Sequence, residues 1–163
     1  DAASLRVFAT GRLVMWTTRT DVDLADLGTA ALHPRVARIA LAQPATAPYG
    51  RAAQAALERA GIGEKARPRL VFGDSLTQTV QFVETGAADL GLVALSAVKS
   101  PRLAGRGVWR EISPREHPGV SLDHAVVLTS RGATNPAARR YLEFLASEAA
   151  RKILREAGYA TPP

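Results

Sequence analysis

The chemistry this chain can offer sits at two helix starts rather than in a set of acids, bases or nucleophiles. Residues 48–51 read Pro-Tyr-Gly-Arg and residues 75–78 read Ser-Leu-Thr-Gln. Pro48 suits the first helical position, where its missing N–H would have no partner in any case. The first backbone donors of that helix are then those of Tyr49 and Gly50. Gly50 carries no side chain, so a ligand can come close to its backbone. Ser75 and Gln78 have the spacing of a capping box, which places Leu76 and Thr77 in a second first turn. A helix start presents N–H groups and the positive end of the helix dipole, and both favour an anion. The same residues also suit an ordinary strand–loop–helix joint whose helix end is unused.

Other groupings carry less. Asp123, His124 and either Ser96 or Ser130 can be written as a hydrolase triad, but no Gly-x-Ser-x-Gly elbow accompanies them. His33, His117 and His124 stand far apart in the sequence, and none has a second ligand at metal spacing. Asp89 reads as the anchor of a turn or helix end. Arg38 and Arg51 flank the candidate anion site in sequence and could tune its field. Trp16 and Trp109 read as packing residues. No Gly-rich phosphate loop is present.

The elements that must position the two helix starts follow from periodicity. Ile39 to Ala42 is a short apolar run, read as a buried strand, and residues 43–48 form a loop. Ala53, Ala56, Leu57 and Ala60 recur at helical spacing, and Gly61 stops that helix. A second strand is expected over residues 69–72, a helix through Val80, Phe82 and Val83 to Gly86, and a third strand over residues 90–95. Strand, helix, strand, helix, strand in this order makes a right-handed parallel α/β unit, with ligands bound beyond the carboxyl ends of its strands. Elsewhere, strands are expected at residues 12–17, 108–112 (an edge strand) and 123–129. A short helix is expected over residues 23–27, capped near Asp21 or Asp23, and a helical turn over residues 97–100. Asn135-Pro136 starts a helix with the stripe Ala138, Tyr141, Leu142, Leu145, and Ser147 caps a last helix bearing Ile153 and Leu154.

The run Ile-Ala-Leu-Ala-Gln-Pro at residues 39–44, Ala-Pro-Tyr-Gly-Arg-Ala-Ala at 47–53, Gly-Asp-Ser-Leu-Thr-Gln at 73–78 and Gln-Phe-Val-Glu-Thr-Gly-Ala-Ala-Asp-Leu-Gly-Leu-Val-Ala-Leu-Ser at 81–96 resembles the molybdate-binding periplasmic proteins of bacterial ABC importers. The resemblance covers nearly the whole chain. It implies a periplasmic-binding-protein lobe, a mainly parallel sheet flanked by helices. It implies a molybdate or tungstate ligand, held by the N–H groups of Tyr49 and Leu76 with Pro48, Gly50, Ser75, Thr77 and Ala94 as neighbours. It further implies an ABC permease in the inner membrane as partner, a periplasmic location, no cofactor, no enzymatic activity, and no metal beyond that of the oxyanion. Some members place a tyrosine where this chain has Ala94, so that contact is expected to be missing.

The resemblance begins past the family's opening serine motifs; Ala2-Ala-Ser-Leu5 is read as a chance echo of the first. Residues 1–11 are therefore expected to be a remnant or linker of a first lobe, 12–122 the second, ligand-binding lobe, and 123–163 a return crossing strand and C-terminal helices belonging to the first lobe. With most of that lobe absent, the helix faces near Leu142 and Ile153 would lie bare, and the chain is expected to bind anions feebly and to self-associate. The alternative of a different class is a ligand-sensing domain of a transcription regulator with the same fold, binding another small anion.

Composition bounds these readings. The chain has 163 residues, 47% hydrophobic and 22% charged, with no cysteine and a net charge of +6. That suffices for a domain with a sizeable core and supplies neither disulfides nor thiolate metal sites. The basic residues are spread along the chain among acidic ones, without the stripe and interleaved aromatics that nucleic-acid binding calls for. No apolar run is long enough to cross a membrane, and residues 1–163 contain no recognisable signal peptide.

Overall fold

The computed structural model describes residues 2–162. The chain divides into two compact units: residues 12–121, and residues 2–11 with 122–162.

The larger unit is built on a five-stranded sheet. Its strands are β2 (Leu13–Thr17), β3 (Ile39–Ala42), β4 (Leu70–Gly73), β5 (Leu90–Ala94) and β6 (Val108–Ile112), in the order β4-β3-β5-β2-β6. β3 pairs in parallel with both β4 and β5, while β2 runs antiparallel to β5 and β6. The sheet is thus mainly parallel: β3, β4, β5 and β6 run one way, since β2 is antiparallel to both β5 and β6, and β2 alone runs against them. β2 is not part of a parallel crossover, so the periodicity that marked the crossovers says nothing of its direction.

Alternation along the strands divides the core into two layers. Val14, Trp16, Ala40 and Val93 face one side and pack with Val80 and Val83 of α4 (Leu76–Glu84). Leu13, Met15, Ile39, Leu41, Leu90 and Leu92 face the other side and are fully buried or nearly so. There the sheet meets α2 (Pro48–Arg59), which turns Ala52, Ala53, Ala56 and Leu57 inward. Each large aliphatic side chain so buried contributes about 1.5–3 kcal/mol relative to exposure. Each helix ends where a glycine adopts positive φ: Gly61 at 69° after α2 and Gly86 at 75° after α4.

Four local expectations shift. The short helix expected over residues 23–27 lies later, as α1 (Leu27–Ala31), because Asp26 is its cap: Asp26 accepts from the Thr29 N–H at 2.8 Å and the Thr29 hydroxyl at 2.7 Å, which holds its carboxyl below the usual range. Asp23 instead accepts from the Ala25 N–H. The third parallel strand stops at Ala94, and Leu95 opens the short α5 (Leu95–Val98). A further one-turn helix, α3 (Gly63–Ala66), follows α2.

The smaller unit holds β1 (Arg6–Thr10) antiparallel to β7 (Asp123–Val126), with α6 (Ser130–Ala133), α7 (Pro136–Leu145) and α8 (Glu148–Glu156). β7 is shorter than the run of residues 123–129, and Leu128 N–H donates to the Ser4 hydroxyl instead of a strand. Leu142 and Leu145 of the α7 stripe are buried, against the expectation that Leu142 lies bare; Tyr141, Phe144 and Ile153 are exposed. Asn135 caps α7 and Ser147 caps α8 through side-chain oxygens.

Candidate functional site

The two helix starts rest on the carboxyl ends of adjacent strands. Ala42 and Gly73 are register partners at the ends of β3 and β4, and the Gln43 N–H crosses to the Gly73 carbonyl at 2.9 Å. The first turn of α2 sits directly on Ala42: a Cβ added at Gly50 would lie 2.1 Å from the Ala42 carbonyl oxygen. The first turn of α4 sits in the same way on Gly73, where an added Cβ would meet the Thr79 hydroxyl at 2.5 Å and the Thr79 nitrogen at 2.8 Å. Both helix starts therefore stand at one edge of the sheet, although α2 and α4 pack on opposite faces of it.

Gly50 has a packing duty of its own. The residue is buried, and the space a side chain would take holds the Ala42 carbonyl. Helix-on-strand packing by itself therefore requires the glycine.

The α2 ladder begins with the Arg51 N–H, which donates to the Ala47 carbonyl. Tyr49 and Gly50 precede it, and Pro48 occupies the first helical position with Ala47 as an extended cap residue. In α4, Ser75 is the cap and its hydroxyl accepts from the Gln78 N–H at 3.2 Å. The reciprocal half of the box is displaced by one residue: the Gln78 side-chain oxygen accepts from the Asp74 N–H at 2.6 Å. The Ser75 carbonyl takes both the N–H and the hydroxyl of buried Thr79. Leu76 is the first helical residue, so the intrahelical ladder provides no acceptor for its N–H. Tyr49 and Leu76 are half-buried, Pro48, Ser75 and Thr77 are exposed, and Ala94 is buried at the end of β5.

The cations sort apart. Arg51 is exposed in the first turn of α2. Arg38 precedes β3 and donates to the Ala87 carbonyl, so it lies at the opposite edge of the sheet and does not flank the site. Asp89 fixes that opposite edge, its carboxylate accepting from the N–H groups of Ala37 and Arg38 at 2.9 and 3.0 Å and pairing with Arg19. The triad residues have other duties: Asp123 accepts from the Thr10 hydroxyl, and the His124 ring packs edge-on against Phe8 and Tyr159. Trp16 is buried and donates to the Arg106 carbonyl, whereas Trp109 is 40% exposed on β6. Among the described residues no three His, Cys, Asp or Glu side chains gather as a metal site, and no helix is long and apolar enough to cross a membrane.

A mainly parallel sheet with helix starts seated on adjacent strand ends has the arrangement in which α/β folds bind small ligands. The chain belongs to the family of bacterial extracellular solute-binding proteins, whose family model matches residues 1–160. It is 38% identical over 160 residues to a molybdate-binding protein of Azotobacter vinelandii, covering 97% of this chain and 62% of that protein. It is 35% identical over 154 residues to a molybdate-binding protein of Rhodobacter capsulatus, covering 94% of this chain and 58% of that one. The chain thus spans about three-fifths of the length of these curated relatives. Its fold superposes on the periplasmic molybdate-binding protein of Azotobacter vinelandii with a TM-score of 0.85 at 26% identity, over all of this chain and 70% of that one. It also superposes on the substrate-binding domain of a molybdenum ABC transporter protein from Clostridium difficile, at a TM-score of 0.82 and 21% identity.

Proposed function

We propose that this chain is the oxyanion-binding part of the substrate-binding component of an ABC importer, and that its ligand is molybdate or tungstate. The observation that supports this most is the pair of helix starts seated on the register-matched strand ends Ala42 and Gly73, in a chain 38% identical to a molybdate-binding protein. On this reading the Tyr49 and Leu76 N–H groups hold the dianion, with Pro48, Gly50, Ser75 and Thr77 shaping the rim and Ala94 leaving one contact unmade. Residues 12–122 act as one lobe, and the flanking segments belong to a second lobe that closes over the anion. Neutral donors at fixed positions select by anion radius, which separates molybdate and tungstate from sulfate. The protein works in the periplasm, hands its anion to an inner-membrane permease and makes or breaks no covalent bond.

Leu76→Pro tests the reading directly. Proline fits the first helical position and removes only the N–H, and Ser75 already has the extended backbone (φ −142°, ψ 162°) that a following proline requires. A hydrogen bond to a charged ligand contributes about 1.5–3 kcal/mol, so molybdate affinity falls by roughly 10- to 100-fold while the melting temperature without ligand stays put. Calorimetric titration of the protein at its full encoded length reads both. Equal binding of molybdate, sulfate and phosphate, or an affinity indifferent to Leu76→Pro, would refute the assignment. On this reading the present 163 residues contribute mainly helix-end donors, and each hydroxyl donor supplied by a closing lobe would add about 0.5–1.5 kcal/mol. They are therefore expected to bind molybdate one to three decades more weakly than the full length.

A further inference from the structure

The later half of α2, the turn that follows it and the outer strand β4 enclose a groove of about 600 Å³, a size usual for small-molecule sites. None of Tyr49, Gly50, Ser75 and Leu76 lines it, so it is separate from the two helix starts. Leu41 and Leu57, both buried, and Leu70 give it an apolar floor, and Phe72 adds an aromatic ring that is 45% exposed. Leu70 and Phe72 share this face because they are the register partners of Ile39 and Leu41. The Leu70 N–H turns back to the Arg67 carbonyl, so the start of β4 is already capped from within the chain.

The groove has a direction. α2 starts against Ala42, at the end of β3, and β4 starts beside the beginning of β3, so α2 runs back along both strands. Gln54 therefore lies toward the Phe72 end, and Glu58, one turn on, toward the Leu70 end. Gly61, Gly63 and Glu64 line the groove beyond Glu58.

That second end is negative. The charged side chains lining the groove are two carboxylates, Glu58 and Glu64, against one guanidinium, Arg67, a net charge of −1 in a chain of +6. Arg59 and Lys65 belong to the same stretch but do not line it. Glu58 accepts from the neutral Gln54 amide at 2.9 Å, which leaves its charge uncompensated. Glu64 and Arg67 are 3.8 Å apart and both largely exposed. The last turn of α2 adds the negative end of its dipole. Gly61 leaves that end uncovered, with nothing within 4 Å of where a side chain would begin.

We infer that this groove is a binding site for a small aromatic amine in its cationic form. The ring stacks on Phe72 over the leucine floor, and the ammonium sits between Glu58 and Glu64 at the end of α2. Leu70 and Phe72 are two residues apart, about 6.6 Å along a strand, close to the reach of a two- or three-carbon chain from ring to nitrogen. No packing contact of α2 calls for an acid at exposed position 58, so this site can differ between relatives while the seat of the helix stays the same.

Tryptamine is the probe, with indole-3-propionate as an anion carrying the same ring and butylammonium as a cation without one. Titration of the 163-residue chain, followed by amide NMR shifts, should show saturable tryptamine binding with a Kd of about 1 mM or lower and shifts clustered over residues 57–72. The other two probes should bind at least about tenfold more weakly. Phe72→Ala should weaken tryptamine binding about fivefold. Glu58→Gln combined with Glu64→Gln should weaken it by roughly threefold to tenfold. These side chains are exposed, so both variants should keep the melting temperature of the unmodified chain. The comparison of the three probes needs no variant at all. Absence of saturation, equal binding of indole-3-propionate or butylammonium, or an affinity that survives either variant would overturn the inference.

Discussion

The two compact units bury their apolar residues by different means. In residues 12–121 a five-stranded sheet is covered on both faces, and β2, β3 and β5 are buried along their whole length. In residues 2–11 with 122–162 a two-stranded sheet carries three helices, and most positions of β1 and β7 are exposed or half-buried. Leu5, Val7, Val127, Tyr141, Phe144 and Ile153 are all exposed there, against Phe72, Val108 and Trp109 in the larger unit. A two-stranded sheet has no interior strand, so every residue lies next to an edge, and such sheets are marginal on their own. The lesson is that stability in this chain follows sheet coverage, while local signals such as caps serve both units equally well.

Substitution in the larger core tests that most severely. Trp16 is fully buried and its indole N–H is paired, so Trp16→Ala should cost about 3–5 kcal/mol, read by urea denaturation. A loss below about 1 kcal/mol would remove the basis for contrasting the units. Next comes Gly50→Ala, which drives a methyl group into the Ala42 carbonyl and should cost roughly 2–3 kcal/mol, with weaker anion binding as α2 lifts from its strand. Amide exchange sharpens the contrast without mutation: amides of β3 and β5 should exchange at least about 100-fold more slowly than those of β1 and β7.

How much of this was legible from residues alone differs between the units in the same way. The parallel core was readable because apolar runs, Pro48, Ser75 and the glycines at 61 and 86 punctuate it, and each of those signals acts within a few residues. The direction of β2 was not, since strand direction outside a crossover is decided by partners distant in sequence. Arg38 was misplaced for a related reason: it is near Arg51 in sequence, but a strand carries the chain across the whole sheet between them. The fit of Gly50 against Ala42 could not be told from a gap left for a ligand, because both call for the same missing side chain. At the site itself, Ser75 as cap was readable, whereas the shift of Gln78 onto the Asp74 N–H depends on loop geometry.

Two smaller effects complete the series. Arg12 and Glu111 form a two-pronged ion pair across β2 and β6, about one-third exposed. The Arg12 hydrogen bonds hold the Glu111 carboxyl below its usual value of 4.5, against the opposing effect of burial. A depressed carboxylate stabilises above its unfolded value and loses that contribution as pH falls through the folded one. Glu111→Gln should therefore lower stability by about 1 kcal/mol at pH 7 and by progressively less below pH of about 4, read by urea titrations across pH. Smallest of all, Ile153→Gln on exposed α8 should change stability by less than about 0.5 kcal/mol. A larger loss would mean that this surface is covered in solution and that the exposed residues of the smaller unit are not idle.

The contact between Gly50 and the Ala42 carbonyl also sets how this region can drift over generations. It joins main chain to main chain, so the height of α2 above the strand does not depend on which side chains decorate the helix. Arg51, Gln54 and Glu58, all on its outward or half-buried face, are free to vary with lineage and salt environment. Position 50 is not. A saturation library over residues 48–59 should thus return a near-silent column at 50 and broad tolerance at 51, 54 and 58, with Ala52, Ala53, Ala56 and Leu57 limited by their burial.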